Sequence, residues 1–108
     1  MALAHAKPGE VISLHRPDAA RTRALTRQPS FETVHLIVAA GQDIARHQVP
    51  GRLTLHCLEG HIRLMLDTGD VDMRARDWIF LDRAAPHALH GVVDAALLLT
   101  ILFDGDMA

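Results

Sequence analysis

Eight histidines and one cysteine, Cys57, are the side chains of this 108-residue chain suited to ligating a transition metal or to moving a proton near neutral pH. Nucleophile chemistry has less to work with. Ser13 and Ser30 both sit near the N-terminus, outside the strand-rich part of the chain, which does not suit a serine triad. There is no Cys-x-x-Cys pair and no glycine-rich loop to cradle phosphate. With no tyrosine, one tryptophan and three phenylalanines, the chain offers no stacking platform for single-stranded nucleic acid.

Positioning of those groups depends on the elements that carry them. From Phe31 onward, short apolar runs alternate with turn residues, the pattern of an all-β sandwich or barrel. The runs predict strands at Phe31–Val38, Ile44–His47, Arg52–Leu58, His61–Leu66, Val71–Arg74, Trp78–Leu81, His87–Val92 and Ala96–Phe103, with a further short strand at Val11–Leu14. Glu59-Gly60 and Asp67-Thr68-Gly69-Asp70 read as hairpin turns. Asp18 to Leu25 reads as a short helical turn held between Pro17 and Pro29.

Alternation then assigns faces, since successive strand residues point to opposite sides. Leu53, Leu55 and Cys57 share one side and Arg52, Thr54 and His56 the other. Ile62, Leu64 and Leu66 oppose His61, Arg63 and Met65; Val71 and Met73 oppose Asp72 and Arg74. Three strands with one apolar face describe a barrel wall with a dry inside. On this reading Cys57 faces inward, while His56 faces outward and His90 opposes His87. His35 fits a hydrogen-bonded core position, and His5, His15 and His61 read as loop or surface residues.

In order, the chain shows Gly41, His47, Pro50-Gly51, the Leu53–Cys57 run, Leu58-Glu59-Gly60, the Met73–Leu81 segment and Pro86-His87 before a last apolar strand. This stretch, Gly41 to Leu102, resembles a cupin domain. The resemblance implies a double-stranded β-helix, or jelly-roll barrel, over residues 31–108, with residues 1–30 as a short N-terminal arm. It also implies a metal site built from two motifs. The first motif's two histidines fall on His47 and Val49 and its glutamate on Leu53; the second motif's histidine falls on His87. The glycine that opens the second motif falls on Arg76, its proline on Asp82 and its later glycine on Ala84.

Two of four implied ligands, His47 and His87, are therefore present, and the other two positions are apolar. A catalytic site normally needs three protein ligands and an open position. Cys57 is the candidate third, since two imidazoles and a thiolate suit zinc or copper. The implied divalent transition metal is thus expected to be weakly held or absent. The function expected is binding of a small molecule in an apolar pocket lined by His47, Val49, Leu53, Leu55, Cys57 and His87. The alternatives are a metal-dependent dioxygenase or isomerase using His47 and His87, and a non-catalytic structural or interaction module.

Eleven basic and thirteen acidic residues leave a net charge of −2, which gives no footprint for nucleic acid and no polybasic membrane patch. Arg16, Arg21, Arg23 and Arg27 gather near the N-terminus and read as a solvated arm. The longest strongly apolar run, Ala95 to Phe103, is too short for a membrane helix. One cysteine and no signal-like leader point to a reducing, cytoplasmic setting. If Ile79 and Leu81 face the core, Trp78 and Phe80 face outward together, and so large an apolar patch predicts a homodimer. In that dimer Glu10 to Phe31 would pack on the partner's sheet; the rival is an arm folded back on its own barrel.

Overall fold

The computed structural model describes residues 5–15 and 21–103. Every regular element among them is a strand: β1 Arg23–Arg27, β2 Phe31–Val38, β3 Asp43–His47, β4 Gly51–Leu66, β5 Gly69–Arg74, β6 Trp78–Leu81 and β7 His87–Phe103. All pairings are antiparallel.

Two long strands organise the fold. The first half of β4 pairs with β6 on one side and with the second half of β7 on the other, and β7 continues to β2 and β1. The second half of β4 pairs with β5 and with the first half of β7, beyond which lies β3. The strands thus carry two layers, β6-β4-β7-β2-β1 and β5-β4-β7-β3. Leu53, Leu55 and Cys57 of the first layer share one buried cluster with Ile62, Leu64, Met73 and Leu89 of the second. Two layers closed over a single apolar core are the jelly-roll solution for strands with one apolar face.

The bend between the layers lies at Gly60. The expected hairpin at Glu59-Gly60 is not a turn: β4 runs through it, with shifts in pairing register between Cys57 and Ile62. Gly60 has φ +86°, and a Cβ there would lie 2.6 Å from the Ala95 Cα and closer still to the Asp94 carbonyl oxygen. A bulge at a left-handed glycine bends a strand without ending it. The same holds across the ladder, where the expected strands His87–Val92 and Ala96–Phe103 are one strand.

The N-terminal expectations change as well. Val11–Leu14 is irregular chain, not a strand. Of the expected helical turn at Asp18–Leu25, Asp18 to Ala20 lie outside the described residues, and Arg23 onward is β1. Pairing of β1 with β2 overrides the helix propensity of its alanine, leucine and arginines. The sheet therefore begins at Arg23. The chain before it is tied to the same molecule, since Ala6 N–H donates to the Leu25 carbonyl at 2.6 Å. Val71, expected inside, is exposed, whereas Met73 is buried as alternation requires.

Candidate functional site

β3 and β7 place the two histidines. His47, the last residue of β3, pairs with His87, the first residue of β7. Their ring centroids are 4.3 Å apart, with the planes tilted by 58°. His87 is 3% exposed, on the same inward face as Leu89. His47 is exposed. A register shift between Ile44 and His47 breaks the alternation of β3, so period two counted from Ile44 does not place His47.

Each ring is fixed by a carbonyl two residues earlier in the chain. His47 Nδ1 donates to the Ala45 carbonyl at 2.9 Å, and His87 Nδ1 donates to the Ala85 carbonyl at 2.9 Å. A carbonyl oxygen only accepts, so Nδ1 carries the proton in both rings and Nε2 of the neutral ring carries the lone pair. Burial pushes the His87 pKa below its ordinary value, against the hydrogen bond to Ala85; the neighbouring His47 pushes the same way as burial.

Two turns, the β5–β6 turn and the loop before His87, are left-handed at positions where the cupin resemblance implies glycine. Ala84 has φ +56° and Arg76 has φ +79°. Left-handed backbone is disfavoured for any residue with a Cβ. Ala84 directly precedes Ala85, whose carbonyl holds the His87 ring.

The remaining expected pocket residues lie deeper. Leu53 is 1% exposed, and Leu55 and Cys57 are equally buried in the core cluster, against which half-buried Val49 packs. The depression beside His47, about 370 Å³, is lined instead by Arg46, His47, Gln48 and Pro86. Arg46 is ion-paired to Asp67. Sequence reading missed Arg46 and Gln48. The signal available was their position on either side of His47, where a short strand ends. A second groove, about 610 Å³, lies elsewhere, between Ala6–Pro8 of the N-terminal segment and the β1–β2 turn.

These donors do not fit a three-ligand metal site. Among the described residues no three His, Cys, Asp or Glu side chains come together to hold a metal ion. The Cys57 thiol donates to the Glu59 carbonyl at 3.5 Å, and burial, with Asp77 adding, pushes its pKa up. A thiol held protonated is a poor metal ligand.

The other histidines are accounted for separately. His90 bonds Asp43 at 2.7 Å, and His61 bonds Asp72 at 3.0 Å on a half-buried part of β4. His56 lies outward, opposite Leu98 and Trp78. His35 is buried, but its Nε2 has no hydrogen-bond partner among the described residues. Burial lowers its pKa; Glu59 opposes that, and His15 and Arg23 add to it.

No protein-family model and no curated protein matches the chain. Solved structures do. A conserved protein of unknown function from Streptococcus pyogenes superposes with a TM-score of 0.81 at 21% identity, covering 97% of this chain and 96% of that one. A cupin superfamily protein from Desulfitobacterium hafniense gives 0.79 at 17% identity, covering 96% and 100%. An RmlC-like cupin from Desulfovibrio desulfuricans gives 0.71 at 23% identity, covering 91% and 97%. The chain has the fold of the small cupin proteins.

Proposed function

We propose that this cupin-fold protein binds a small organic molecule at the rim of its barrel, without catalysing a reaction, and that His47 and His87 are the groups that orient it. One observation carries the reading: two imidazoles in contact, one buried and one open, stand at the edge of a barrel whose inside is filled by Leu53, Leu55 and Cys57. Binding sites combine apolar walls with a few convergent polar groups, and this pair is such a group. The metal-dependent dioxygenase or isomerase needs a third ligand and a proton-transfer group beside it. The described donors supply two imidazoles and no third group.

Elemental analysis and thermal-shift measurements on protein purified without an affinity tag test this. The expected result is little metal, and a shift with small organic ligands that His47→Ala abolishes. Near-stoichiometric metal lost on His47→Ala would favour the enzyme instead. Neither metal nor ligand response would leave the interaction module.

The same reading includes a homodimer. The outer face of the larger layer exposes Trp78 (61%), Phe80 (46%) and Leu102 (45%). Register places Trp78, His56, Leu98 and His35 in one row across four strands. Aromatic residues set in a sheet face are the usual centre of an interface, and a second copy offers the matching surface. β1 belongs to its own sheet and Ala6 bonds to Leu25 within it, so in this proposal the sheet face bearing Trp78, Phe80 and Leu102 is the surface that meets the partner.

A further inference from the structure

Resting on that reading of the rim site, we propose that its ligand is an uncharged molecule presenting two adjacent hydrogen-bond donors, of the 1,2-dihydroxy type, and that His47 and His87 accept one donor each through Nε2.

The argument is one of donor and acceptor accounting. Both Nδ1–H groups are committed to backbone carbonyls at 2.9 Å. In its neutral form each ring then has a lone pair, not a proton, left to offer at Nε2. The two carbonyls belong to the chain itself, at Ala45 and Ala85, so the orientation exists before any ligand arrives. Ala85 follows Ala84, whose left-handed backbone sets the local path of the loop. Such preorganisation reduces what a ligand loses in ordering the site.

The pair is close enough to act on one molecule. With ring centroids 4.3 Å apart, a single small ligand with donors on neighbouring atoms is of the right size to span the two rings. The surroundings select against an anion. Two lone pairs repel a carboxylate, and the arginine that lines the depression, Arg46, is already ion-paired to Asp67. Gln48 and Pro86 complete the described lining and carry no charge. His87, buried, favours a neutral partner over an ionic one, since bringing a charge to a dry position carries a desolvation penalty.

Nuclear magnetic resonance on metal-stripped, isotope-labelled protein tests this. Long-range proton–nitrogen correlations of the two rings should show the Nδ1–H form in both. Three probes then separate donor chemistry from shape and charge: catechol, its dimethyl ether and benzoate. Catechol should move the Cε1–H signals of both histidines saturably in the millimolar range, and the ether and benzoate should not. His47→Phe keeps a planar ring at an exposed position and removes one acceptor. It should weaken catechol binding about tenfold, the loss of one neutral hydrogen bond.

An Nε2–H form in either ring overturns the inference. So does equal binding of the ether or of benzoate, although the small-molecule reading then survives. Silence from catechol overturns it as well. If all three probes are silent and zinc alone shifts both rings at one equivalent, the small-molecule reading falls together with the inference.

Discussion

Restoring the two apolar ligand positions gives a quantitative test of how this barrel is built. Leu53 is 1% exposed inside the core cluster. Leu53→Glu removes a buried leucine, a loss of about 1.5–3 kcal/mol. It also sets a carboxylate among apolar neighbours, which costs several kcal/mol more even after relaxation. The sum, roughly 5 kcal/mol or above, is comparable with the whole stability of a domain of this size. At about 4–8 °C per kcal/mol, the single variant should melt at least about 20 °C lower than the parent. Val49→His combined with Leu53→Glu completes a four-ligand set with His47 and His87, provided that both new side chains reach the site. Metal at roughly 100 times its dissociation constant would then return about 2.7 kcal/mol, or about 10–20 °C. Thermal unfolding followed by circular dichroism, in chelator and in zinc, reads all of this. Parent protein should be indifferent to zinc, the single variant low in both media, and the double variant low in chelator and partly restored in zinc. A parent stabilised by one equivalent of zinc, or a folded double variant indifferent to zinc, would refute the reasoning.

Three further outcomes follow from the same geometry. Burial lowers the His87 and His35 pKa values below the unfolded value of 6.5, so the unfolded chain takes up protons first as pH falls. Stability present above that value should be lost below it, by at most about 1.4 kcal/mol per pH unit per histidine; urea melts at pH 7.5 and pH 5 that coincide would contradict this, and His35→Gln should flatten the difference. Arg76→Gly and Ala84→Gly relieve left-handed strain of about 1–2 kcal/mol and give back about 0.5–1 kcal/mol of unfolded-chain entropy. Each should raise the denaturant midpoint by the equivalent of about 0.5–1 kcal/mol, and a lowered midpoint would show that the Cβ makes contacts that outweigh the strain. Sedimentation at micromolar concentration should give a dimer mass, and Trp78→Ala with Phe80→Ala should give a monomer; a dimer that survives both changes would place the interface on another face.

Period two carried the fold well along strands that kept their register, with exposed Val71 on β5 as the exception. Leu53, Leu55, Cys57, Ile62, Leu64 and Met73 all lie where alternation sends them. It failed where geometry decides against composition. Gly60 satisfies a turn and a bulge equally, because both need positive φ; the choice is made by Asp94 and Ala95 across the ladder, which no local window contains. Arg23–Arg27 contains good helix formers and becomes a strand because β2 lies beside it. His47 and His87 emerged from motif spacing, whereas the open depression beside them did not. Its lining depends on a register shift in β3 and on the ion pair between Arg46 and Asp67, neither of which leaves a periodic trace.

The filled interior is the reason the proposed site is set at the rim. A glutamate in place of Leu53 would need a cation or a proton to be tolerated there, whereas leucine needs neither and adds packing to β4. With that position apolar, the buried imidazole of His87 is the polar group whose presence most needs a reason. Its Nδ1 is satisfied by Ala85, and burial alone would favour a residue without a second nitrogen. Phenylalanine would fill similar space without that penalty. Among the described residues, the ring that meets it is that of His47, open to solvent and with its centroid 4.3 Å away. The stability forgone in keeping an imidazole there is what the proposed ligand would have to offset, and the side on which His47 stands, lined by Arg46, Gln48 and Pro86, is where the proposal has it enter.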